Sequence, residues 1–253
     1  MASPSAALDN EVAGTTKQGI NLISNRPPVT NKLLAELPRA AYNRMLPQLE
    51  AVTLTYGEIV FEVGEPIKHV YFPSDSLVSL LTQVDSHHAL EVGMVGNEGL
   101  VGVTFALGID TSPVRAMVQG SGAAHRMKAT RFRTELHQSA HLQKAVSLYT
   151  HALMAQIAQT AACNRFHNIE ARLARWLLMT RDRVGANQFH LTQEFLSDML
   201  GVRRVGVTKA AHALKNRDLI DYRRGNIDIV DERGLEKAAC SCYWLTNGKH
   251  HKA

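Results

Sequence analysis

Residues 191–220 run LTQEFLSDMLGVRRVGVTKAAHALKNRDLI and read as two short helices broken at Gly201-Val202. Thr192 is placed to cap the first helix, and Glu194 favours its positive end. Phe195, Leu196, Met199 and Leu200 share one helical face. The second helix opens with Arg203 and Arg204. Its apolar stripe is Val207, Ala210, Ala211 and Leu214, which leaves Lys209, Lys215 and Arg217 facing out. A helix, a turn holding glycine and a second helix with a basic start is the layout that places a helix in the DNA major groove. The plainer reading is a helical hairpin with a solvated basic face.

The next residues, DYRRGNIDIV at 221–230, favour the first reading. Ile227 and Ile229 alternate with Asn226 and Asp228, and Gly225-Asn226 marks a turn. A basic hairpin directly after a helix pair makes a winged helix-turn-helix. Arg223 and Arg224 at its tip are placed to reach phosphate, which adds affinity without sequence choice.

The chain has 253 residues, enough for two ordinary domains. It is 45% hydrophobic and 20% charged, so it is globular with real cores. The net charge of +5 and a pI near 9.2 suit a polyanionic partner. The three cysteines, Cys163, Cys240 and Cys242, fit no zinc or iron–sulfur spacing, so no metal site is expected. Their number suits a reducing cytoplasm. Residues 1–30 carry Asp9 and Glu11 without an apolar core and are expected to form a flexible arm rather than a leader. The longest uncharged run, 145–164, is too polar for a membrane span.

Outward from the reader, 168–183 is expected to be a helix, with Ile169, Leu173, Trp176, Leu177 and Leu178 buried. Before it, Leu142, Val146, Tyr149, Leu153, Gln156 and Thr160 repeat at steps of four and three, with Ile157 beside them. That repeat is a coiled-coil seam. The expected helix is about 35 Å or longer, and pairing with a second copy through this seam is expected. A break is expected at Asn164-Arg165-Phe166-His167. Between 51 and 127, short apolar runs at 52–56, 59–63, 69–72, 77–84, 89–95, 115–118 and 125–127 are separated by glycines, which points to a compact antiparallel barrel or roll. Several runs, 77–81 among them, are expected to bury one face only. Residues 31–49 read as helical around Pro38.

The expected architecture is therefore α+β: an arm at 1–30, an antiparallel β-roll at 31–133, a dimerisation helix and hinge at 134–166, a winged helix-turn-helix at 167–243 and a tail at 244–253. This order resembles the Crp/Fnr family of bacterial transcription regulators across 31–243. The resemblance is strongest in 191–230 and in Tyr56-Gly57-Glu58-Ile59-Val60-Phe61-Glu62-Val63-Gly64-Glu65. It implies a homodimeric regulator, not an enzyme, bound to double-stranded DNA at an inverted repeat and touching RNA polymerase. DNA contacts would come from Thr192, Gln193, Arg203, Arg204, Val205, Thr208, Lys209, Arg223 and Arg224. Where the family commonly carries Arg-Glu and then a basic residue one turn on, this chain carries Arg204, Val205 and Lys209. A guanine contact from Arg204 is retained, while Val205 suits a thymine methyl.

The segment Val95-Gly96-Asn97-Glu98-Gly99-Leu100-Val101-Gly102 falls where the family's phosphate cassette should be. In the cyclic-AMP receptors of the family, a glutamate holds the ribose hydroxyls and an arginine followed by Ser or Thr neutralises the phosphate. Here the first position carries Leu100 or Val101 and the second Asp110 or Thr111, with Arg115 several residues late. Burying a cyclic phosphate without a paired cation is costly, so no cyclic-AMP response and no cofactor are expected. A ligand pocket would draw on Gly96, Glu98, Gly99, Thr111, Ser112 and Arg115, although a structural ion pair between Glu98 and Arg115 is the more ordinary outcome. The family's iron–sulfur cysteines are missing from the N-terminus. Haem ligation through His69, His87, His88, His125 or His151 stays open, as does a sensing module of the same fold that acts through protein contacts. A metal hydrolase is disfavoured, because His137 is followed by Gln138 rather than by the glutamate of a zinc protease before His141. The expected switch runs from the roll near 96–115, through the long helices, to the hinge that re-aims the two recognition helices.

Overall fold

The structure is a computed structural model that describes residues 31–83, 89–223 and 225–246. The expected arm, His87, His88, Arg224 and the tail beyond 246 lie outside the described residues. The N-terminal helices are α1 (Lys32–Ala35) and α2 (Arg39–Met45), separated at Pro38 as the sequence implies. Asn31 caps α1 by accepting from Leu34 N and donates to the Pro73 and Gly99 carbonyls, which pins this entry to the roll.

Every expected roll strand forms: β1 (Glu50–Leu54), β2 (Ile59–Phe61), β3 (His69–Pro73), β4 (Leu77–Gln83), β5 (Ala89–Val95), β6 (Arg115–Gly120) and β7 (Gly122–Lys128). They make two antiparallel sheets, β1-β7-β3 and β2-β6-β4-β5. Val70, Phe72, Val78, Val95, Ala116 and Val118 fill the space between the sheets.

Two long helices follow, α3 (Ala129–Gln138) and α4 (Ala140–Phe166), where one was expected. Ser139 between them caps α4 by accepting from Leu142 N. At about 1.5 Å per residue, α4 is roughly 40 Å long. It ends later than expected. The chain breaks at His167-Asn168, and Asn168 caps α5 (Ile169–Val184).

The expected seam is corrected. Leu142, Val146, Tyr149 and Leu153 are buried inside the protomer, in one core with the roll, and Ile157 packs against that core. Thr160 is half-buried and accepts from Arg175. The repeat was real, but it records α4 lying along β5. A Cβ on Gly93 of β5 would sit 3.5 Å from Leu153 and Ile157. Gln156 receives Met94 N at 2.9 Å and donates back to Met94 O, which satisfies an edge strand that has no further neighbour in its sheet.

The one-sided burial expected for 77–81 is also corrected. Val78 and Leu80 point into the roll core, while Leu77 and Leu81 point outward into a second core with Leu173, Trp176, Leu177 and Phe195. The outer face of the sheet is thus the floor on which the C-terminal domain sits. Trp176 Nε1 donates to Glu91 at 2.9 Å, and Arg183 donates to Glu98 at 2.8 Å across the same joint.

Glu91 is fully buried there, and burial pushes its carboxyl up to about 7 despite bonds from Ser79 and Trp176. Geometry agrees. Ser79 has one hydroxyl proton and two acceptor neighbours, Glu91 and Gln119, so a protonated Glu91 supplies the missing donor. The folded carboxyl titrates above its unfolded value of 4.5. Its contribution to stability is therefore complete below that unfolded value and is lost as pH rises through about 7. Glu91→Gln accepts from Trp176 and donates to Ser79 at every pH. Between about pH 5 and 8 the variant is expected to lack the fall of up to about 3 kcal/mol that Glu91 gives the parent, keeping only the pH dependence that the two share. Denaturant melts across that range check this; a slope in the variant equal to the parent's contradicts it.

Candidate nucleic-acid interface

The C-terminal domain adds β8 (Gln188–His190), α6 (Gln193–Leu200), α7 (Arg204–Asn216), β9 (Ile220–Arg223), β10 (Asn226–Ile229), α8 (Glu232–Ala238) and α9 (Cys242–Thr246). β8 was not expected. It pairs with β10 to complete the sheet β8-β10-β9. Thr192 caps α6 by accepting from Phe195 N at 3.1 Å. Gly201 stops α6 in the left-handed region at φ 59°, which glycine adopts without the steric cost of a Cβ.

The expected stripe Val207, Ala210, Ala211 and Leu214 is buried, which fixes the rotation of α7. Arg203, Arg204, Val205 and Lys209 consequently face outward, Val205 with 65% of its surface exposed. Among the described residues, no carboxylate pairs with these three cations. Arg203 caps α7 in an extended conformation without a side-chain bond, so the first turn keeps its outward N–H dipoles beside two arginines. Gln193 organises the surface. Its Oε1 accepts from Thr208 Oγ1 at 2.9 Å and lies 3.4 Å from Arg204 Nε. Thr192, Gln193, Arg204 and Thr208 therefore come together, while Val205 and Lys209 extend the same face along α7.

Two expected outward cations are occupied. Lys215 bonds Asp221 at 2.7 Å, and Arg217 bonds Glu170 at 2.7 Å. Arg223, on the wing, lies 3.0 Å from the second oxygen of Asp221. Lys215 first and then Arg223 hold the Asp221 carboxyl below its ordinary range. The free cationic face is thus narrower than the sequence count implied and is centred on the start of α7.

The expected ligand pocket does not assemble as written. Glu98 turns to Arg183, and Arg115 bonds Glu62 at 2.9 Å, so the expected Glu98–Arg115 pair is absent. A Cβ on Gly96 would fall 2.6 Å from Arg183 Cβ, and one on Gly99 only 1.9 Å from the Tyr149 ring. The glycines serve close packing of α5 and α4 on the roll. Thr111 is exposed, and buried Ser112 donates to Val114 O at 2.6 Å. What lies between the roll and α4 is a cavity of about 170 Å³ bordered by Phe61, Leu80, Val95, Leu100, Ala116 and Leu153. An ionised phosphate has no cation to meet among those walls.

Residues 171–238 match the model of the Crp-like helix-turn-helix domain. The chain carries a Crp-like helix-turn-helix domain. The whole described fold is that of the Crp/Fnr regulators. A protein from Eubacterium rectale assigned to the Crp/Fnr transcriptional regulators is similar at TM-score 0.64 and 15% identity, covering 83% of this chain and 98% of that one. FixK2 from Bradyrhizobium japonicum is similar at TM-score 0.65 and 13% identity, covering 76% and 98%. The c-di-GMP-responsive global regulator CLP of Xanthomonas campestris is similar at TM-score 0.62 and 17% identity, covering 77% and 100%. No curated protein matches. The Crp-like domain takes in α5, both helices of the reader and the wing. Among the described residues, no helix is long and apolar enough to cross a membrane.

Sequence reasoning missed the joint between roll and Crp-like domain, because Glu91, Glu98, Trp176 and Arg183 are far apart in the chain. It also missed a cluster of Cys163, His167, Cys240 and Cys242, whose ligand atoms lie within 4.8 Å of one another. The available signal was the i, i+4 spacing of Cys163 and His167, together with Cys240-Ser241-Cys242.

Proposed function

We propose that the chain is a homodimeric, sequence-specific DNA-binding transcription regulator that does not take cyclic AMP. The observation that carries this is the grouping of exposed Arg204 with half-buried Gln193 and Thr208 at the start of a helix whose other face is sealed in the core. Arg204 is suited to guanine O6 and N7, Val205 to a thymine methyl and Lys209 to phosphate or guanine. Arg223 adds phosphate contact from the wing once it exchanges Asp221 for the DNA backbone. Contact with RNA polymerase and a cytoplasmic setting belong to the same reading.

The dimer face is moved to the other side of α4. Leu148, Ala152, Ala155, Ala158 and Ala162 form an outward apolar stripe with a helical period, and Leu148 is 61% exposed. Met154 and Phe166 border it at 65% and 77% exposed. Small residues let two copies of α4 approach closely about a two-fold axis, which presents two α7 helices to one duplex.

The absence of cyclic-AMP control rests on the engaged Arg115 and Glu98 and on the apolar cavity. Titrating cyclic AMP into the protein is expected to give no binding heat and less than about a twofold change in DNA affinity. A saturable response would contradict it. The function itself is tested by capturing genomic DNA with purified protein. Recovery of an inverted repeat supports it, and indifference to every duplex at low ionic strength overturns it.

A further inference from the structure

Cys163 lies in the last turn of α4, and His167 follows four residues on as the extended residue that ends the helix, its amide donating to Cys163 O. Cys240 and Cys242 arrive from the far end of the chain, where α9 folds back onto α4. The Cys240 amide donates to Ala171 O at 3.4 Å, and Tyr243 N donates to Cys240 O at 3.0 Å, so a tight turn aims both thiols at α4. Cys163 Sγ is 3.5 Å from Cys240 Sγ, and Cys242 Sγ is 3.5 Å from His167 Nδ1. All three cysteines are buried, and no disulfide joins them.

These separations have a simple meaning. Ligands at about 2.0–2.3 Å from one tetrahedral ion stand roughly 3.3–3.8 Å from each other. The Cys163–Cys240 and Cys242–His167 separations meet that spacing, all four ligand atoms lie within 4.8 Å of one another, and the composition, three sulfurs and one imidazole, is that of a closed structural site. An iron–sulfur cluster would hold its ligands farther apart.

The surroundings add an independent observation. Arg172 and Arg175 are both buried beside the cluster, with Cys163 lining the same small cavity. Arg172 donates to Leu200 O and Arg175 to Thr160 Oγ1, yet each Nε is left without a partner. Among the described residues neither forms an ion pair; the one carboxyl on the same cavity, Glu91, feels Arg175 but is itself pushed by burial towards the neutral acid. Two buried guanidiniums ask for a negative neighbour. Three thiolates and a neutral imidazole around a dication leave the site one unit negative. Gln159 Nε2 also points at Cys242 Sγ, at 2.9 Å, as a donor to a thiolate should.

We propose that Cys163, His167, Cys240 and Cys242 form a tetrahedral site for a divalent ion of the zinc class, which clasps the end of α4 to the C-terminal segment across the hinge. Each ligating thiol gives its proton to solvent, four ligand–metal bonds form, and no electron is transferred. The clasp spans the His167-Asn168 break, the point where the Crp-like domain would turn relative to α4, so metal loading sets how freely that domain moves.

The test uses the full chain purified under reducing conditions. Elemental analysis is expected to find one zinc per protomer. Cobalt titration of the stripped protein is expected to saturate at the same ratio, with the d–d and thiolate charge-transfer bands of a sulfur-rich tetrahedral ion. Cys242→Ser and His167→Ala are expected to lose at least tenfold in metal affinity, while His167→Cys keeps one metal with altered cobalt bands. Loading is expected to slow hydrogen exchange of amides 167–171. Unchanged metal affinity in the Ser and Ala variants, or no cobalt bands in folded protein, overturns the site. A Cys163–Cys240 disulfide under reducing conditions also overturns it. Bound metal with unchanged exchange at 167–171 overturns the clasp. None of these readouts involves DNA, so they succeed or fail apart from the DNA reading.

Discussion

Arg204→Ala is expected to remove sequence discrimination while leaving the protein folded. The guanidinium is exposed and its removal opens no cavity, so stability should change by less than about 0.5 kcal/mol. A bidentate arginine–guanine contact is worth about 1–3 kcal/mol in each half-site. Two half-sites make roughly 2–6 kcal/mol, which is about 30-fold or more in affinity for the correct duplex. Non-specific binding should change little, because Arg203, Lys209 and Arg223 remain to meet phosphate. Gln193→Ala is expected to give a smaller loss, since Gln193 acts by holding Arg204 and Thr208 in place. Competition binding of specific against random duplexes reads both effects. Unchanged specificity in Arg204→Ala would contradict the assignment of α7 as the reading helix.

Ala155→Glu and Leu153→Ala separate the two faces of α4. Ala155 is exposed, so a carboxylate there should leave the protomer folded. Across a two-fold axis it would face its own copy, and repulsion with desolvation should shift the dimer dissociation constant by two orders of magnitude or more. Leu153 is buried in the roll core, so its truncation should cost about 2–5 kcal/mol of folding stability instead. Sedimentation and denaturant melts distinguish the outcomes. A folded Leu153→Ala that has lost only its dimer would restore the seam that the sequence implied.

That reversal shows where sequence reading reached its end. Periodicity reports that a face is covered, not what covers it. Leu142, Val146, Tyr149 and Leu153 have a coiled-coil spacing, yet the partner is the roll of the same chain. The same limit applied to Leu77 and Leu81, whose alternation hid a second buried face. Local signals fared better. Thr192, Gly201 and Gly225 announce their cap, stop and turn within a few residues, and each roll strand was bounded by glycines or turns. The buried stripe of α7 fixed which residues face outward. Long-range charge pairing was not legible. Glu98 meets Arg183 rather than Arg115, and Lys215 and Arg217 are taken up by acids that fold against them. The four-ligand cluster was invisible for the same reason, because its halves are more than seventy residues apart.

The joint between roll and Crp-like domain bears on how regulation would work. Leu77, Leu81 and Met94 of the roll share a core with α5 and α6, so the reader is not loosely tethered. Re-aiming α7 requires that this apolar contact and the Glu91–Trp176 and Glu98–Arg183 bonds have a second arrangement of similar energy. Glu91, whose carboxyl titrates at about 7, stands at the point where a small electrostatic change would be felt.

The most direct measurement is a hydroxyl-radical footprint of the full chain on its selected duplex, repeated with five base pairs inserted between half-sites. Two symmetric protected windows about one helical turn apart, lost together on insertion, are predicted for paired α7 helices. A single window, or protection that survives the insertion unchanged, would contradict it.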